Sequence, residues 1–162
     1  FHYRKGSNYQ QLIHFIKYKG MKELGLECGK RLGASLSETE SFRTVDAVVP
    51  VPLHLKKLKK RGYNQSEWIA RGIAEILRVP VVPDNLFRKV HTSTQTQKTR
   101  LERWQNVEGI FEVNDPEVFS EKHVLLVDDV ATTGATLEAC SMPLLNCKKT
   151  KVSIATLAYA DM

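Results

Sequence analysis

The sequence predicts an α/β fold, an open and mostly parallel sheet with helices on both faces. Three observations carry that expectation. Val45 to Val51 and His123 to Val127 are short, nearly continuous apolar runs, the pattern of strands buried on both sides. Other stretches place apolar residues three and four apart, the helical period. The two kinds of segment alternate along the chain, which implies parallel strands joined through covering helices.

The elements follow in order. Tyr9 to Lys19 has helical spacing, with Leu12, Phe15, Ile16 and the stem of Lys19 on one face, and Gly20 stands where a helix stop is expected. A second helix is expected from Met21 to about Leu36, and Ser35 to Ser41 is polar and loop-like. Val45 to Val51 is a buried strand closed by Pro50 and Pro52. The next segment, Pro52 to Arg61, is a basic loop carrying Lys56, Lys57, Lys59, Lys60 and Arg61. Asn64 then opens a helix, with Glu67 three residues on, close to a capping box. That helix carries Trp68, Ile69, Ile73 and Ile76 and ends near Arg78.

Val79 to Val90 holds one or two short strands broken by Pro80 and Pro83. His91 to Asn106 is polar and poor in apolar residues, a loop of the length that is usually functional or disordered. Val107 to Val113 is strand-like and fits a hairpin. His123 to Val127 is the second buried strand, followed by Asp128, Asp129 and a Thr/Gly turn; Thr136 to Leu145 is a helix and Lys151 to Tyr159 the last strand. No internal repeat or long linker divides the 162 residues, so one domain is expected, with 1–44 as a helical N-terminal part and 45–162 as the α/β core.

Charge narrows the partners. There are 24 Lys and Arg against 18 Asp and Glu, a net charge of +6, which points to an anion: nucleic acid, nucleotide or sugar phosphate. A merely solvated basic surface would show the same excess. The three cysteines form no Cys-x-x-Cys pair, so neither a disulfide framework nor a cysteine zinc site is expected. They fit a reducing compartment, and a cytoplasmic location is the expectation. No apolar run reaches the ~18–20 residues of a membrane span. Phe1 to Gly6 is not a signal peptide and no initiator Met precedes it, so the chain is expected to start partway into a longer protein. The five histidines show no metal-ligand spacing. Trp68 reads as core, while Trp104 lies in the polar loop.

The chemistry concentrates in Val124-Leu125-Leu126-Val127-Asp128-Asp129-Val130-Ala131-Thr132-Thr133-Gly134-Ala135-Thr136. Ligands of open α/β sheets bind outside the carboxyl ends of the strands. Here such an end carries two carboxylates and a small-residue turn that opens a helix. Free N–H groups and the positive helix end make an anion site there. Thr132, Thr133 and Thr136 add hydroxyls, and Gly134 lets backbone approach a phosphate. Asp128 and Asp129 can accept from two vicinal hydroxyls, so a ribose 5-phosphate satisfies both demands. A nucleoside-triphosphatase reading fails, because Gly25 to Arg31 lacks the spacing and hydroxyl of a phosphate loop, and no Gly-x-Gly-x-x-Gly is present. An acidic pair that only caps a helix is the bland alternative.

Val124 to Thr136 resembles the diphosphoribosyl-binding signature of type I phosphoribosyltransferases. Leu12 to Gly20 resembles the opening motif of the ComF family (competence protein F-like). Val49-Pro50-Val51-Pro52-Leu53-His54 with Arg61-Gly62-Tyr63-Asn64-Gln65 resembles its second motif, and Gln95, Arg103 and Asn106 its third. Two departures stand out. The Cys-rich zinc module that members carry ahead of this domain is not in this chain, and Asn146-Cys147-Lys148-Lys149 replaces the Gly that often follows the last helix.

The resemblance implies a type I phosphoribosyltransferase fold with an N-terminal helical hood, and 5-phosphoribosyl 1-diphosphate (PRPP) as ligand, with magnesium held through the diphosphate rather than in a protein cage. It assigns the ribose hydroxyls to Asp128 and Asp129, and the 5-phosphate to Ala131, Thr132, Thr133, Gly134, Ala135 and Thr136. Arg61, with Asn64 and Gln65, is the candidate for the diphosphate, since a guanidinium fork suits phosphate oxygens. Asn64 has a second reading as helix cap. Lys98, Arg100 and Arg103 are candidates in a cover over the site, where one of them would stabilise the leaving diphosphate; Arg103 equally reads as a loop anchor. The implied reaction is phosphoribosyl transfer to a nitrogen acceptor. The alternative is a DNA-uptake factor that binds single-stranded DNA, or acts with competence machinery, and keeps the pocket as a regulatory or vestigial feature. A pure ligand sensor is a third reading.

Overall fold

A computed structural model describes residues 8–89 and 109–160. All of His91 to Asn106, including Gln95, Lys98, Arg100, Arg103 and Trp104, lies outside the described residues.

Three parallel strands form the centre: β1 (Ala47–Pro50), β4 (His123–Ala131) and β5 (Lys151–Tyr159), in the order β1-β4-β5. Val81 adds a parallel bridge to Val48. A separate antiparallel pair joins β2 (Leu86–Arg88) to β3 (Phe111–Val113), the hairpin-like pairing expected there. Alternation along β1 and β4 sends Val48, Leu125 and Val127 to one face and Val49, Val124 and Leu126 to the other, and all six are buried. On the first face lie α1 (Asn8–Tyr18), α2 (Lys22–Ser37) and α4 (Gln65–Leu77); on the second lie α5 (Ala135–Leu145) and the β2–β3 pair. The fold is α/β with a parallel sheet covered on both sides, as the sequence predicts.

Four local expectations are corrected. First, α1 buries Ile13 and Ile16 and leaves Phe15 exposed. The helix carries two overlapping apolar stripes, and the Tyr63 hydroxyl, which donates to the Ile16 carbonyl, helps choose between them. Second, the basic segment after β1 is not a loop throughout. Leu55–Arg61 forms a helix, α3, capped by His54, whose Nδ1 accepts from Lys56 N at 3.1 Å. Gly62 ends it in the left-handed region with φ 80°. Leu55 and Leu58, three apart, were the available signal, and the cations of the last turn favour that helix end.

Third, β4 does not stop at Val127. It continues through both aspartates to Ala131, because β5 runs beside it as far as the Ala131–Tyr159 pairing and supplies the ladder. Fourth, the capping box is only half made. Asn64 Oδ1 accepts from Ser66 N at 3.2 Å, but Glu67 is turned to Arg71, 2.6 Å away.

The glycines of α2 have a packing role. Gly25, Gly29 and Gly33 lie four apart and are buried. A Cβ on Gly29 would strike the Ile69 carbonyl, and one on Gly72 would strike the Leu26 carbonyl. Glycine at these positions lets α2 and α4 approach backbone to backbone. His123 is a core histidine: its ring lies 2.8 Å from both Thr44 Oγ1 and Ser153 Oγ, and burial lowers its pKa.

Candidate functional site

β4 delivers the acidic pair to the carboxyl end of the sheet. Asp128 meets Ser66 at the start of α4 and Asp129 meets Lys17 of α1, so both carboxylates reach helices of the same face. Both line one cavity of about 340 Å³. Asp128 Oδ1 accepts from Ser66 Oγ at 2.7 Å and from the Asp129 backbone N–H at 2.8 Å. Burial, and then the Asp129 charge, push the Asp128 carboxyl up to about 6 from the ordinary 3.8; its hydrogen bonds and Lys17 oppose that rise. Burial is also the main cause that raises the nearby Cys140 thiol, with the Asp128 charge adding to it, so Cys140 stays protonated.

Asp129 is 4% exposed, and its Oδ2 lies 2.8 Å from Lys17 Nζ. The ammonium approaches outside hydrogen-bond geometry, so this buried oxygen keeps unmet acceptor capacity.

Beside the acidic pair lie the turn Thr132 to Gly134 and the start of α5. Gly134 has φ 77°, a conformation that favours glycine, and open space surrounds its missing Cβ. Its carbonyl accepts from Glu138 N at 2.9 Å and starts the helix, while Thr133 Oγ1 accepts from Ala135 N at 3.4 Å. Thr132 and Thr136 line the cavity. The first turn of α5 leaves N–H groups without intrahelical partners at this mouth. Ala131 closes β4, and its carbonyl accepts from Ala160 N at 2.9 Å.

A basic wall faces the acidic pair. Arg61 and Lys57 come from α3 and Arg88 from β2. Arg61 donates to Gln65 Oε1 and rests on the Tyr18 ring, 5.1 Å from its centroid. Gln65 is buried and lines the cavity. Asn64 takes the capping role: its Nδ2 donates to the Val51 carbonyl at 3.0 Å while its Oδ1 caps α4. The fold therefore brings Asp128, Asp129, Thr132, Thr136, Arg61 and Gln65 together. It adds Lys17, Ser66 and Arg88, which no spacing rule singles out, although Lys17 lies inside the opening ComF-like motif.

Comparison with known proteins identifies the family. Residues 60–161 match the family described as phosphoribosyl transferase domain. Competence protein F of Haemophilus influenzae is 32% identical over 123 residues, covering 75% of this chain and 54% of that protein. DNA utilization protein YhgH of Escherichia coli is 27% identical over 137 residues, covering 83% of this chain and 60% of that protein. The chain thus spans little more than half the length of these curated relatives. Among solved structures, glutamine PRPP amidotransferase from B. subtilis, complexed with ADP and GMP, has a TM-score of 0.56 at 25% identity, covering 82% of this chain and 26% of that one. A hypoxanthine phosphoribosyltransferase from Staphylococcus aureus, TM-score 0.53 at 17% identity, covers 88% of this chain and 69% of that one and shows the shared fold. The chain belongs to the phosphoribosyl transferase domain family, and curated relatives that it matches are named for competence and DNA utilization.

Proposed function

We propose that this chain binds PRPP across the cavity and transfers its phosphoribosyl group to a nitrogen acceptor, releasing diphosphate. The observation that carries the reading is the unmet, buried acceptor on Asp129 beside Asp128, set between the α5 turn and the Arg61 wall. The ribose hydroxyls would donate to the two carboxylates. The 5-phosphate would take the N–H groups and hydroxyls from Thr132 to Thr136. Arg61, Lys57 and Arg88 would receive the diphosphate, with Gln65 holding the Arg61 fork.

Transfer needs no protein nucleophile. The acceptor nitrogen's lone pair forms a bond to ribose C1, the C1–O bond to diphosphate breaks, and diphosphate leaves with the bonding pair. An acceptor N–H gives its proton to water or to the diphosphate. The ribose becomes cationic on the way, as in glycoside chemistry. The acidic pair stabilises that charge, and the basic wall stabilises the leaving group.

The residues fit magnesium carried by the substrate. They offer carboxylate and amide oxygens, and among the described residues no cluster of three or more His, Cys, Asp or Glu forms a separate cage. Asp128 and Asp129 would meet the ion through water and substrate, and it would neutralise charge on the diphosphate. The N-terminal helices, as a hood, would face the acceptor.

Calorimetric titration of magnesium and PRPP tests the reading. Binding by the wild type that is lost in Asp128→Asn/Asp129→Asn supports it, and a diphosphate-release screen then tests turnover. A folded wild type that binds no PRPP refutes the site. A second reading, handling of single-stranded DNA, has one observation behind it: α3 exposes Lys56, Lys57, Lys59 and Lys60. Binding of an oligonucleotide that weakens steeply with salt would favour it. No helix among the described residues is long and apolar enough to cross a membrane.

A further inference from the structure

Lys17 stands between the two charged halves of the site. It leaves the last turn of α1, and its Nζ lies 2.8 Å from Asp129 Oδ2. It lines both the main cavity and a second cleft, of about 330 Å³, between α1 and α3. That cleft also carries Lys57, Lys60 and Arg61, the cations of α3. One ammonium therefore borders the acidic pair on one side and the basic wall on the other.

Its contact with Asp129 is an ion pair without a hydrogen bond, because Oδ2 has no partner in hydrogen-bond geometry. Charge alone holds the pair, so a ligand hydroxyl that meets Oδ2 in good geometry can replace the ammonium. The backbone that carries Lys17 is fixed on either side. The Ile16 carbonyl accepts from the Tyr63 hydroxyl, and the Arg61 guanidinium lies 5.1 Å from the centre of the Tyr18 ring. The freedom lies in the Lys17 side chain itself, a flexible aliphatic stem that is 24% exposed. Loading the site demands a change at this contact. While the ammonium sits on Asp129 it repels the positive charge that develops on the ribose, and it competes with a ribose hydroxyl for the same oxygen. A diphosphate on the α3 wall offers the ammonium oxygens that accept strong charge-assisted bonds.

We propose that Lys17 is an exchange residue: the counter-ion of Asp129 in the free chain, it swings to the diphosphate when PRPP binds and releases Asp129 to the ribose. The proposal rests on the PRPP reading above. It makes Lys17 a competitor of the ribose and a contact of the diphosphate, and these roles have opposite signs. Calorimetry on the whole chain separates them, with ribose 5-phosphate and PRPP as probes, each with magnesium. Ribose 5-phosphate lacks the diphosphate and should bind Lys17→Met about threefold more tightly than wild type, the weight of a part-exposed ion pair. PRPP should bind that variant about tenfold more weakly, since it loses a charge-assisted contact. The ratio of the two affinities then falls about thirtyfold, the product of the two effects. Lys17→Gln keeps a donor for Asp129, and thereby the fold, without the charge. Its ratio should fall about tenfold, through PRPP alone.

A merely structural lysine would weaken both probes by the same factor, and that result overturns the proposal. Ribose 5-phosphate that binds a folded Lys17→Met no more tightly than wild type overturns it as well, and so does PRPP affinity that neither variant lowers. Wild type that binds neither probe removes the PRPP reading and the exchange together. Wild type that binds both, with an affinity ratio that neither substitution moves, removes only the exchange, so the two failures are distinguishable.

Discussion

Replacing Asp128 by asparagine should stabilise the chain at neutral pH even as it removes ligand binding. Both hydrogen bonds that the carboxylate accepts, from Ser66 Oγ and from Asp129 N, fall on Oδ1, which the amide retains. What the substitution removes is a buried charge whose carboxyl is pushed up to about 6 from 3.8, first by burial and then by Asp129. A raised acid pKa means that the folded state holds the proton more tightly than the unfolded state. Stability therefore falls as pH rises from 3.8 through 6, and the penalty is complete above that window. At ~1.4 kcal/mol per pH unit the shift corresponds to about 3 kcal/mol, and screening through the open cavity mouth reduces it to about 1–3 kcal/mol. For a chain of this size that is a rise in Tm of about 3–9 °C. Thermal unfolding of both proteins at pH 8 and near pH 4 measures it. The gain should be large at pH 8 and shrink toward zero in acid. A variant less stable at pH 8, or one with the same gain at both pH values, would refute the argument that Asp128 is held charged against its surroundings.

Three further outcomes follow from particular contacts. Lys17→Met leaves the buried Asp129 carboxylate without its counter-ion and should destabilise by about 1–3 kcal/mol; urea unfolding should show Asp129→Asn restoring most of that loss in the same background. Gly29→Ala drives a methyl into the Ile69 carbonyl and should destabilise by about 3 kcal/mol or more, read from the urea midpoint, whereas Gly20→Ala meets open space and should act only through its φ of +70°. Lys149 sits at φ 51°, in the segment that replaces the glycine expected after the last helix. Lys149→Gly should stabilise by about 0.5–1 kcal/mol in thermal unfolding, because its ion pair with Glu121, at 3.4 Å, is exposed and contributes little.

The parts of the site that were legible in the sequence are contiguous. Val124 to Thr136 holds a buried strand, two carboxylates, a glycine turn and a helix start in thirteen consecutive positions, and backbone geometry alone places them together. The last strand was legible to the residue, Lys151–Tyr159, because its neighbours end it cleanly. α3 was only weakly legible, because two leucines, Leu55 and Leu58, are the whole apolar signal in a seven-residue basic helix. The long polar segment with Lys98, Arg100 and Arg103 lies outside the described residues, so their expected part in a cover stays a proposal.

By itself, then, the sequence determined the helical layers on both faces, the parallel sheet and the acidic pair and turn at the end of β4, since each depends on short-range periodicity and local backbone conformation. Tertiary structure alone decided which distant side chains converge on that end. Ser66 is 62 residues from Asp128 in sequence yet bonds to it at 2.7 Å, and Lys17 reaches Asp129 from the first helix. Such meetings depend on how helices seat on the sheet. Here the Gly29–Gly72 approach of α2 to α4 and the Tyr63 tie to α1 set that seating, and no local pattern encodes the packing of two elements far apart along a chain.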